Sequence, residues 1–225
     1  MAMSVMTSEQ WTRSSAWRRI KEILRNEGIR TLWFKALGEM GYRRLLLLDR
    51  SVHEPIPDVT AGVPISISLV TQADMAEYLA FRPGTSEVEV RRRLKSGHWG
   101  FLARSEGLPV AVTWAAAGEA WSFFLSCHIQ LASDAVYLYD SFTRFDVRGR
   151  AVSPALGAEI LRFFRDAGYR RTVRAISPEN TASLRAVRKL GYRPCGRIGH
   201  VKIGPWRRDF RTIHIHGGSH APVRT

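Results

Sequence analysis

One stretch of the sequence decides how the chain is interpreted, Arg148-Gly149-Arg150-Ala151-Val152-Ser153-Pro154-Ala155-Leu156. The residues before it, 136–144, are rich in β-branched and aromatic side chains and predict a strand, whereas residues 154–167 predict a helix. A tight loop between a strand and a helix points several backbone N–H groups at one place, where the helix dipole also favours negative charge. Arg148 and Arg150 add cationic donors. The stretch therefore predicts a site for a phosphate-bearing ligand.

The start of the following helix also has a simpler explanation. Ser153 is a good N-cap residue, and Pro154 suits the first helical position because its missing N–H costs nothing there. An ordinary capped turn between a strand and a helix has the same sequence pattern. Two other phosphate motifs fit worse, since the chain has neither the Gly-Lys-Ser/Thr of a nucleotide P-loop nor the Gly-x-Gly-x-x-Gly of a Rossmann fold. Neither ATP nor NAD is favoured.

A second segment begins at Asn180 and has the sequence Asn-Thr-Ala-Ser-Leu-Arg-Ala-Val-Arg-Lys-Leu-Gly-Tyr. It predicts a helix that Gly191 closes. Asn180, Ser183 and Val187 share one side of this helix, and a separate cationic cluster contains Arg185, Arg188 and Lys189. Taken singly, Asn180 is also a good N-cap, and the basic residues also fit an ordinary solvated face.

Together, the two segments resemble the GCN5-related N-acetyltransferase superfamily. Its first signature is Gln or Arg, two residues, Gly, one residue, then Gly or Ala, and here Arg148, Ala151 and Ser153 hold those positions. Both glycines of the signature are therefore replaced. Asn180 and Ser183 match the second signature, and the resemblance covers roughly residues 65–215. It implies an α/β fold with a mixed, mostly antiparallel central sheet flanked by helices.

The resemblance implies an acyl-CoA-dependent N-acyltransferase, with acetyl-CoA or another acyl-CoA as co-substrate and a small amine as acceptor. In such enzymes the amine attacks the thioester directly, and backbone groups hold the pantetheine arm and polarise the carbonyl. The 3′-phosphate of CoA would meet the cationic cluster on the second helix. The cofactor contacts that it implies are Phe142, Thr143, Arg148, Gly149, Arg150, Ala151, Val152, Ser153, Asn180 and Ser183.

Asp140 is the first candidate for the group that takes the proton from the amine, because members of the family often carry a strand carboxylate near this position. On an alternating strand it shares a face with Leu138 and Val136, so we expect partial burial and a raised pKa. A structural Asp paired with an arginine fits the position equally well. Three other residues remain as alternatives, namely Glu119, Asp134 and His128.

The general acid departs from the family pattern. The family's usual Tyr lies seven residues after the Asn, and that position is Val187 here. The thiolate leaves unaided, a water supplies the proton, or Tyr139 or Tyr192 replaces the missing Tyr. Loss of catalysis is the further alternative, in which the chain is a CoA-binding regulatory module.

Three parts are predicted along the chain: a basic amphipathic helical extension and linker over 1–57, an acyltransferase domain over 58–216, and a tail over 217–225. Helical spacing from Trp17 and again from Leu32 predicts the extension, and the Pro- and Gly-rich residues 54–64 predict the linker. The element order expected is β-α-α-β-β-β-α-β-α-β-β. The lead-in at residues 43–50 also resembles acetyltransferase-like proteins found with bacterial polysaccharide and secondary-metabolite genes.

Composition sets the expected location and partners. The net charge of +14 attracts anions, which include an acidic acyl carrier protein as an alternative acyl donor and an anionic membrane surface for the aromatic and basic N-terminal helices. Two isolated cysteines and the absence of a secretory or membrane-spanning segment predict a reduced, cytoplasmic protein. No nucleic-acid-binding motif is recognised.

No metal site is expected, because the histidines near the end, His214, His216 and His220, have no matching carboxylate or Cys. The sequence does not predict an oligomeric state.

Overall fold

The computed structural model describes residues 41–122, 124–213 and 223–224. Its strands are β1 (Tyr42–Ser51), β2 (Ser66–Leu69), β3 (Trp99–Ser105), β4 (Leu108–Ala117), β5 (Glu119–Ser122), β6 (Cys127–Leu131), β7 (Ala135–Thr143), β8 (Arg171–Ile176), β9 (Arg193–Ile203), β10 (Trp206–Ile213) and β11 (Val223–Arg224). Its helices are α1 (Met75–Phe81), α2 (Glu87–Lys95), α3 (Val152–Asp166) and α4 (Thr181–Lys189). A 3₁₀ turn covers Phe145–Val147.

The main sheet has eight strands in the order β10-β9-β1-β8-β7-β4-β3-β2, and a small sheet has the order β11-β6-β5. Strands β7 and β8 are parallel, whereas the other paired strands of the main sheet are antiparallel. The parallel pair requires a crossover connection, and α3 supplies it. The predicted fold class, a mixed and mostly antiparallel sheet flanked by helices, is confirmed.

Helices cover both faces of the sheet. Helix α3 packs its apolar side on β3, β4 and β7, where the buried Phe164 meets Trp99, Phe101 and Tyr169 edge to face with ring centroids 5.3–5.7 Å apart. Truncation of such a buried aromatic side chain costs about 3–5 kcal/mol. On the other face, Trp114 lies buried beneath α1. The sheet therefore separates an α1/α2 face from an α3/α4 face.

Strand β1 corrects the predicted division of the chain. Residues 1–57 were expected to form a helical extension and linker, but Tyr42–Ser51 is a strand between β8 and β9. Leu47 and Leu48 are both buried, and a continuous apolar run is what a strand needs when both of its faces are covered. The sheet therefore begins well before residue 58. The two predicted helices before residue 41, the tail over 217–222 and the three histidines His214, His216 and His220 lie outside the described residues.

The remaining predicted elements are confirmed within a few residues of their ends. The structure adds the short hairpin of β5 and β6, which the sequence did not predict because each strand has only four or five residues. Helix α2 begins at Glu87, and the hydroxyl of Ser86 caps it by accepting the N–H of Glu89 at 3.2 Å. In the described part of the chain, no helix is long and apolar enough to cross a membrane.

Candidate active site

A gap opens between the two parallel strands. Strand β7 pairs with β8 only over residues 135–138, opposite Arg171–Arg174. Beyond that point β7 continues on β4 as far as Thr143, and β8 continues on β1 as far as Ile176. Each strand thus keeps its outer neighbour while it loses the other. The central sheet is therefore split at the carboxyl ends of its two parallel strands.

A β-bulge lies beside the start of this gap. The register between β4 and β7 shifts between Val112 and Trp114, and Asp140 has a positive φ of 45°. The bulge turns the side chains of Tyr139 and Asp140 to the same face. Both side chains contact the guanidinium of Arg93 on α2. A non-glycine residue in this conformation costs about 1–2 kcal/mol. Backbone strain is therefore located where the two strands separate.

Backbone groups of β7 face the gap. The N–H of Arg144 donates to the carbonyl of Val110 on β4 at 2.8 Å, and peptide groups alternate sides along a strand. The peptide groups of Ser141 and Thr143 therefore point toward the gap, whereas that of Phe142 points toward β4. The Thr143 carbonyl accepts the Nε–H of Arg148 at 3.0 Å. Phe142 and Thr143 were both expected to hold a pantetheine arm. The peptide group of Thr143 faces the gap, as this role requires, whereas that of Phe142 faces β4.

The loop after β7 leads into the N-terminus of α3. Gly149 and Ala151 both have positive φ, at 81° and 55°, and the helix begins at Val152. Ser153 was expected to cap the helix, but Ala151 occupies the cap position and Ser153 is the second residue inside. The N–H groups of Val152 and Ser153 have no acceptor within the helix. Such groups at a helix N-terminus can bind an anion, and the phosphate site in this loop stays a prediction.

The second signature segment begins at the same edge of the sheet. Helices α3 and α4 both start after the carboxyl ends of the parallel strands, so their N-termini flank the gap. Asn180 caps α4 by accepting the N–H of Ser183 at 3.1 Å. This agrees with the alternative interpretation of Asn180 as an N-cap residue. Its side-chain NH₂ remains available as a donor. Arg148 and Arg150 are exposed at this edge. Arg185 is exposed midway along α4, and Arg188 and Lys189 are exposed in its last turn, at the end of the helix away from the gap.

Asp140 is held in a double ion pair. Its two oxygens lie 2.8 Å from Arg82 Nη2 and 2.6 Å from Arg93 Nη1. Burial by itself would raise the pKa of this carboxyl, but the two guanidinium groups outweigh burial and hold the pKa below its usual value. The expected rise of the pKa is therefore wrong. A carboxylate stabilised in this way is a weak proton acceptor.

The structure brings together a pair that the sequence analysis missed. His98 Nδ1 lies 2.6 Å from the hydroxyl of Tyr139, the residue before the bulge. Burial lowers the pKa of His98, and the nearby Arg93 and Arg92 lower it further against the opposing effect of Glu89. The lowered pKa favours the neutral imidazole at pH 7. Burial also raises the pKa of Tyr139, so its phenol stays protonated.

A pocket of about 300 Å³ lies next to this pair on the α1/α2 face. Residues of α2, β4 and the β5–β6 hairpin line it, including Glu89, Arg92, Glu119, Trp121 and His128. Two of the alternative proton acceptors, Glu119 and His128, thus reach the pocket, where they pair with each other at its exposed side. The third alternative, Asp134, precedes β7 at the end of the strand opposite to the gap.

The position of the family's general acid lies in the core. Val187 is buried between α3 and α4 with Leu184 and Leu190. The hydroxyl of Tyr192, one of the two replacements considered, is hydrogen-bonded to Thr172 at 2.8 Å in a buried setting. Tyr139, the other replacement, contacts His98 beside the gap. The hydroxyl of Tyr192 is thus already engaged in the core, whereas Tyr139 lies beside the bulge at the start of the gap.

Similarity searches relate the fold to known structures. No protein-family model matches the chain, and no curated protein matches it. A GCN5-related N-acetyltransferase from Kribbella flavida aligns at 20% identity over 71% of this chain and 59% of its own, with a TM-score of 0.48. One from Sphaerobacter thermophilus aligns at 17% identity over 82% and 58%, with a TM-score of 0.52.

A third solved structure is the GCN5-related glucosamine N-acetyltransferase region of a fungal multi-domain β-N-acetylglucosaminidase. It aligns at 13% identity over 80% of this chain and 22% of its own, with a TM-score of 0.53. The chain therefore spans about three fifths of the length of the two bacterial proteins. The two matches with TM-scores above 0.5 show that the chain has the fold of the GCN5-related N-acetyltransferases.

Proposed function

We propose that the chain transfers an acyl group, with acetyl as the first candidate, from acyl-CoA to the amine of a small molecule. The observation that carries this proposal is the gap between β7 and β8, which opens at the edge where α3 and α4 begin. A CoA molecule has a pyrophosphate, a long amide-containing arm and a thioester. Each of these groups has a suitable partner along the gap.

The donor half of the site follows from charge and hydrogen bonding. The N–H groups of Val152 and Ser153, with Arg148 and Arg150, bind the pyrophosphate at the N-terminus of α3. The peptide groups of Ser141 and the N–H of Thr143 bind the amides of the pantetheine arm, since the Thr143 carbonyl already accepts from Arg148. The NH₂ of Asn180 and the hydroxyl of Ser183 line the opposite side, and the basic residues of α4 bind the 3′-phosphate.

In the chemical step, the lone pair of the amine attacks the thioester carbon, and the carbonyl oxygen becomes an oxyanion. The intermediate then collapses, the C–S bond breaks, and CoA leaves as a thiolate, which its pKa of about 8.5 allows without a general acid. The nitrogen must lose a proton. We assign that proton to Nε2 of His98, whose Nδ1–H donates to the Tyr139 hydroxyl in the tautomer that this role requires.

The pocket on the α1/α2 face is proposed as the site of the acceptor. Its volume of about 300 Å³ is at the lower end of the range for small-molecule sites. His98 and Tyr139 form the wall nearest to the gap, so an amine bound there faces the thioester. The fungal neighbour is described as a glucosamine N-acetyltransferase region, and amino sugars therefore belong among the acceptors to be tested.

A thiol-release screen with the full chain tests this function. Acetyl-CoA and longer acyl-CoAs are offered with a panel of amino sugars, amino acids and diamines, and CoA affinity is measured by calorimetry in parallel. The proposal predicts CoA binding and amine-dependent release of thiol. Binding without release from any acyl-CoA or acyl carrier protein would identify a CoA-binding regulator, and no binding of CoA would refute the site itself.

A further inference from the structure

Arg174 lies where β7 and β8 separate. It belongs to the last residue pair of the two strands, opposite Leu138. Its side chain points to the α3/α4 face, and its Nη1 donates across the gap to Ser141 Oγ at 3.1 Å. The guanidinium carbon lies 5.4 Å from the ring centroid of Tyr192. Arg174 is therefore at the closed, inner end of the proposed cofactor site.

The charge of Arg174 is buried without a counter-ion. The residue is only 8% exposed, and no carboxylate lies within 4 Å of it among the residues that the structure describes. Its Nε is buried and lacks a hydrogen-bond partner there. Arg93 is equally buried but pairs with both Asp140 and Glu89. A buried cation without an anion is costly, so this arrangement favours a negatively charged partner from outside the chain.

Arg174 has neighbours on both faces of the sheet. On the α3/α4 face it lies beside Gly157, where a built Cβ would lie 3.9 Å from Nη2 of Arg174 and 2.5 Å from Cδ1 of Leu190. Tyr139 precedes the bulge on the opposite face of the sheet, next to the same end of the gap. A group bound between the strands would therefore lie between Arg174 on one face and the His98–Tyr139 pair on the other.

We propose that Arg174 binds an anionic oxygen of the acyl group, and this inference rests on the proposed acyltransferase function. If CoA enters with its phosphates at the start of α3 and its arm along β7, its acyl end lies nearest to Arg174. Two oxygens fit the chemistry: the oxyanion that forms when the amine attacks the thioester, and the terminal carboxylate of a dicarboxylic acyl chain. Either one supplies the negative charge that the site lacks.

A binding comparison tests Arg174 without turnover. Carboxymethyl-CoA is an unreactive thioether that places a carboxylate at the acyl position. The parent should bind it more tightly than CoA by about tenfold, as charge-assisted hydrogen bonds allow, and Arg174→Met should abolish that preference. Equal affinity of the parent for both ligands would overturn the inference, even where CoA itself binds as proposed.

Kinetics distinguish the two oxygens. With the amine found in the screen, Arg174→Met and Arg174→Lys are compared on acetyl-CoA and succinyl-CoA. Loss of about 10²–10³-fold in kcat with both donors identifies the oxyanion, and a loss confined to succinyl-CoA identifies the carboxylate. Unchanged kcat and donor preference in both variants would overturn the inference.

Thr172→Val is the matched control for a purely structural role. Thr172 is buried on the same face of β8 and also contacts Tyr192, so this variant disturbs the same packing without removing a charge. It should keep the donor preference and the preference for carboxymethyl-CoA. If Thr172→Val loses the donor preference and the preference for carboxymethyl-CoA as completely as Arg174→Met does, Arg174 acts only through packing. Should Arg174→Met fail to fold, Arg174→Lys keeps the charge but loses the planar fork and still decides the binding test.

Discussion

The carboxylate of Asp140 and the guanidinium of Arg93 lie 2.6 Å apart, and this ion pair joins the bulge of β7 to helix α2. Arg82 holds the second carboxylate oxygen from the end of α1. The strained residue beside the gap is thus tied to both helices of the α1/α2 face. Arg93 also lines the pocket on this face, so these contacts tie the bulge to the wall of that pocket.

Asp140→Asn should destabilise the fold. It leaves the buried guanidinium of Arg93 with Glu89 as a charged partner but without Asp140, and breaking a buried ion pair costs up to about 3–5 kcal/mol. Urea unfolding at pH 7 measures this loss, with the exposed pair variant Arg165→Ala as the control. Unchanged stability combined with a loss of about 10²–10⁴-fold in kcat/KM would instead restore Asp140 as the proton acceptor.

The same residue predicts how stability depends on pH. The folded pKa of Asp140 lies below its ordinary value, so the carboxylate contributes stability that is fully present above about pH 4 and is lost as the pH falls through the folded pKa. Acid unfolding of the parent and of Asp140→Asn should therefore differ most near neutral pH and converge at low pH. Parallel curves over the whole range would contradict the ion-pair account.

His98→Gln should lower kcat/KM by about 10²–10⁴-fold, because general-base catalysis has this scale. The lowered pKa of His98 predicts that the rate of the parent rises with pH below neutrality and levels off near pH 7. The rates are first corrected for the fraction of the amine substrate that is unprotonated at each pH. The variant should lose this rise. Tyr139→Phe is the companion variant, since it removes the partner of Nδ1 and should shift the profile. A parental profile in His98→Gln would remove His98 from the mechanism.

Arg148→Ala should weaken CoA binding by about 1–3 kcal/mol through the loss of charge-assisted hydrogen bonds. Calorimetry measures the affinity. Arg165→Ala, near the other end of α3, removes the same charge at a distance and should bind CoA as the parent does. Equal affinities of the parent and Arg148→Ala would contradict the phosphate site.

Ala151→Gly should relieve backbone strain before α3. An alanine at a φ of 55° costs about 1–2 kcal/mol, and glycine regains part of it after its larger loss of chain entropy. Thermal unfolding should show a stability equal to or above that of the parent. The control, Ala182→Gly on the exposed side of α4, should lose about 1 kcal/mol. A similar loss in both variants would show that residue 151 carries no strain.

Local patterns explain which parts the sequence predicts well. The loop 148–153 and the helix that begins after Asn180 are each specified by residues adjacent in the sequence. Local motifs therefore predict that the loop joins β7 to α3 and that α4 follows β8. Strand β1 depends on distant partners, and the run Leu45–Leu48 does not say that β8 and β9 will enclose it. His98 and Tyr139 are 41 residues apart, and only the sheet topology brings them together.

The bulge explains the wrong expectation for Asp140. Strict alternation along β7 puts residues 138 and 140 on one face, but the extra residue turns Asp140 to the face of Tyr139, where Arg82 and Arg93 meet it. A bulge of this kind is set by the pairing with β4 and has no sequence signal of its own. Asp140 is a non-glycine residue at positive φ, which strand patterns do not predict.

A crystal structure of the full chain with CoA tests the central claim most directly. The account predicts the pyrophosphate on the N–H groups of Val152 and Ser153, the pantetheine arm between β7 and β8, and the sulfur at the end of the gap that Arg174 and Tyr139 flank. CoA bound elsewhere, with the space between β7 and β8 closed to it, would contradict the account.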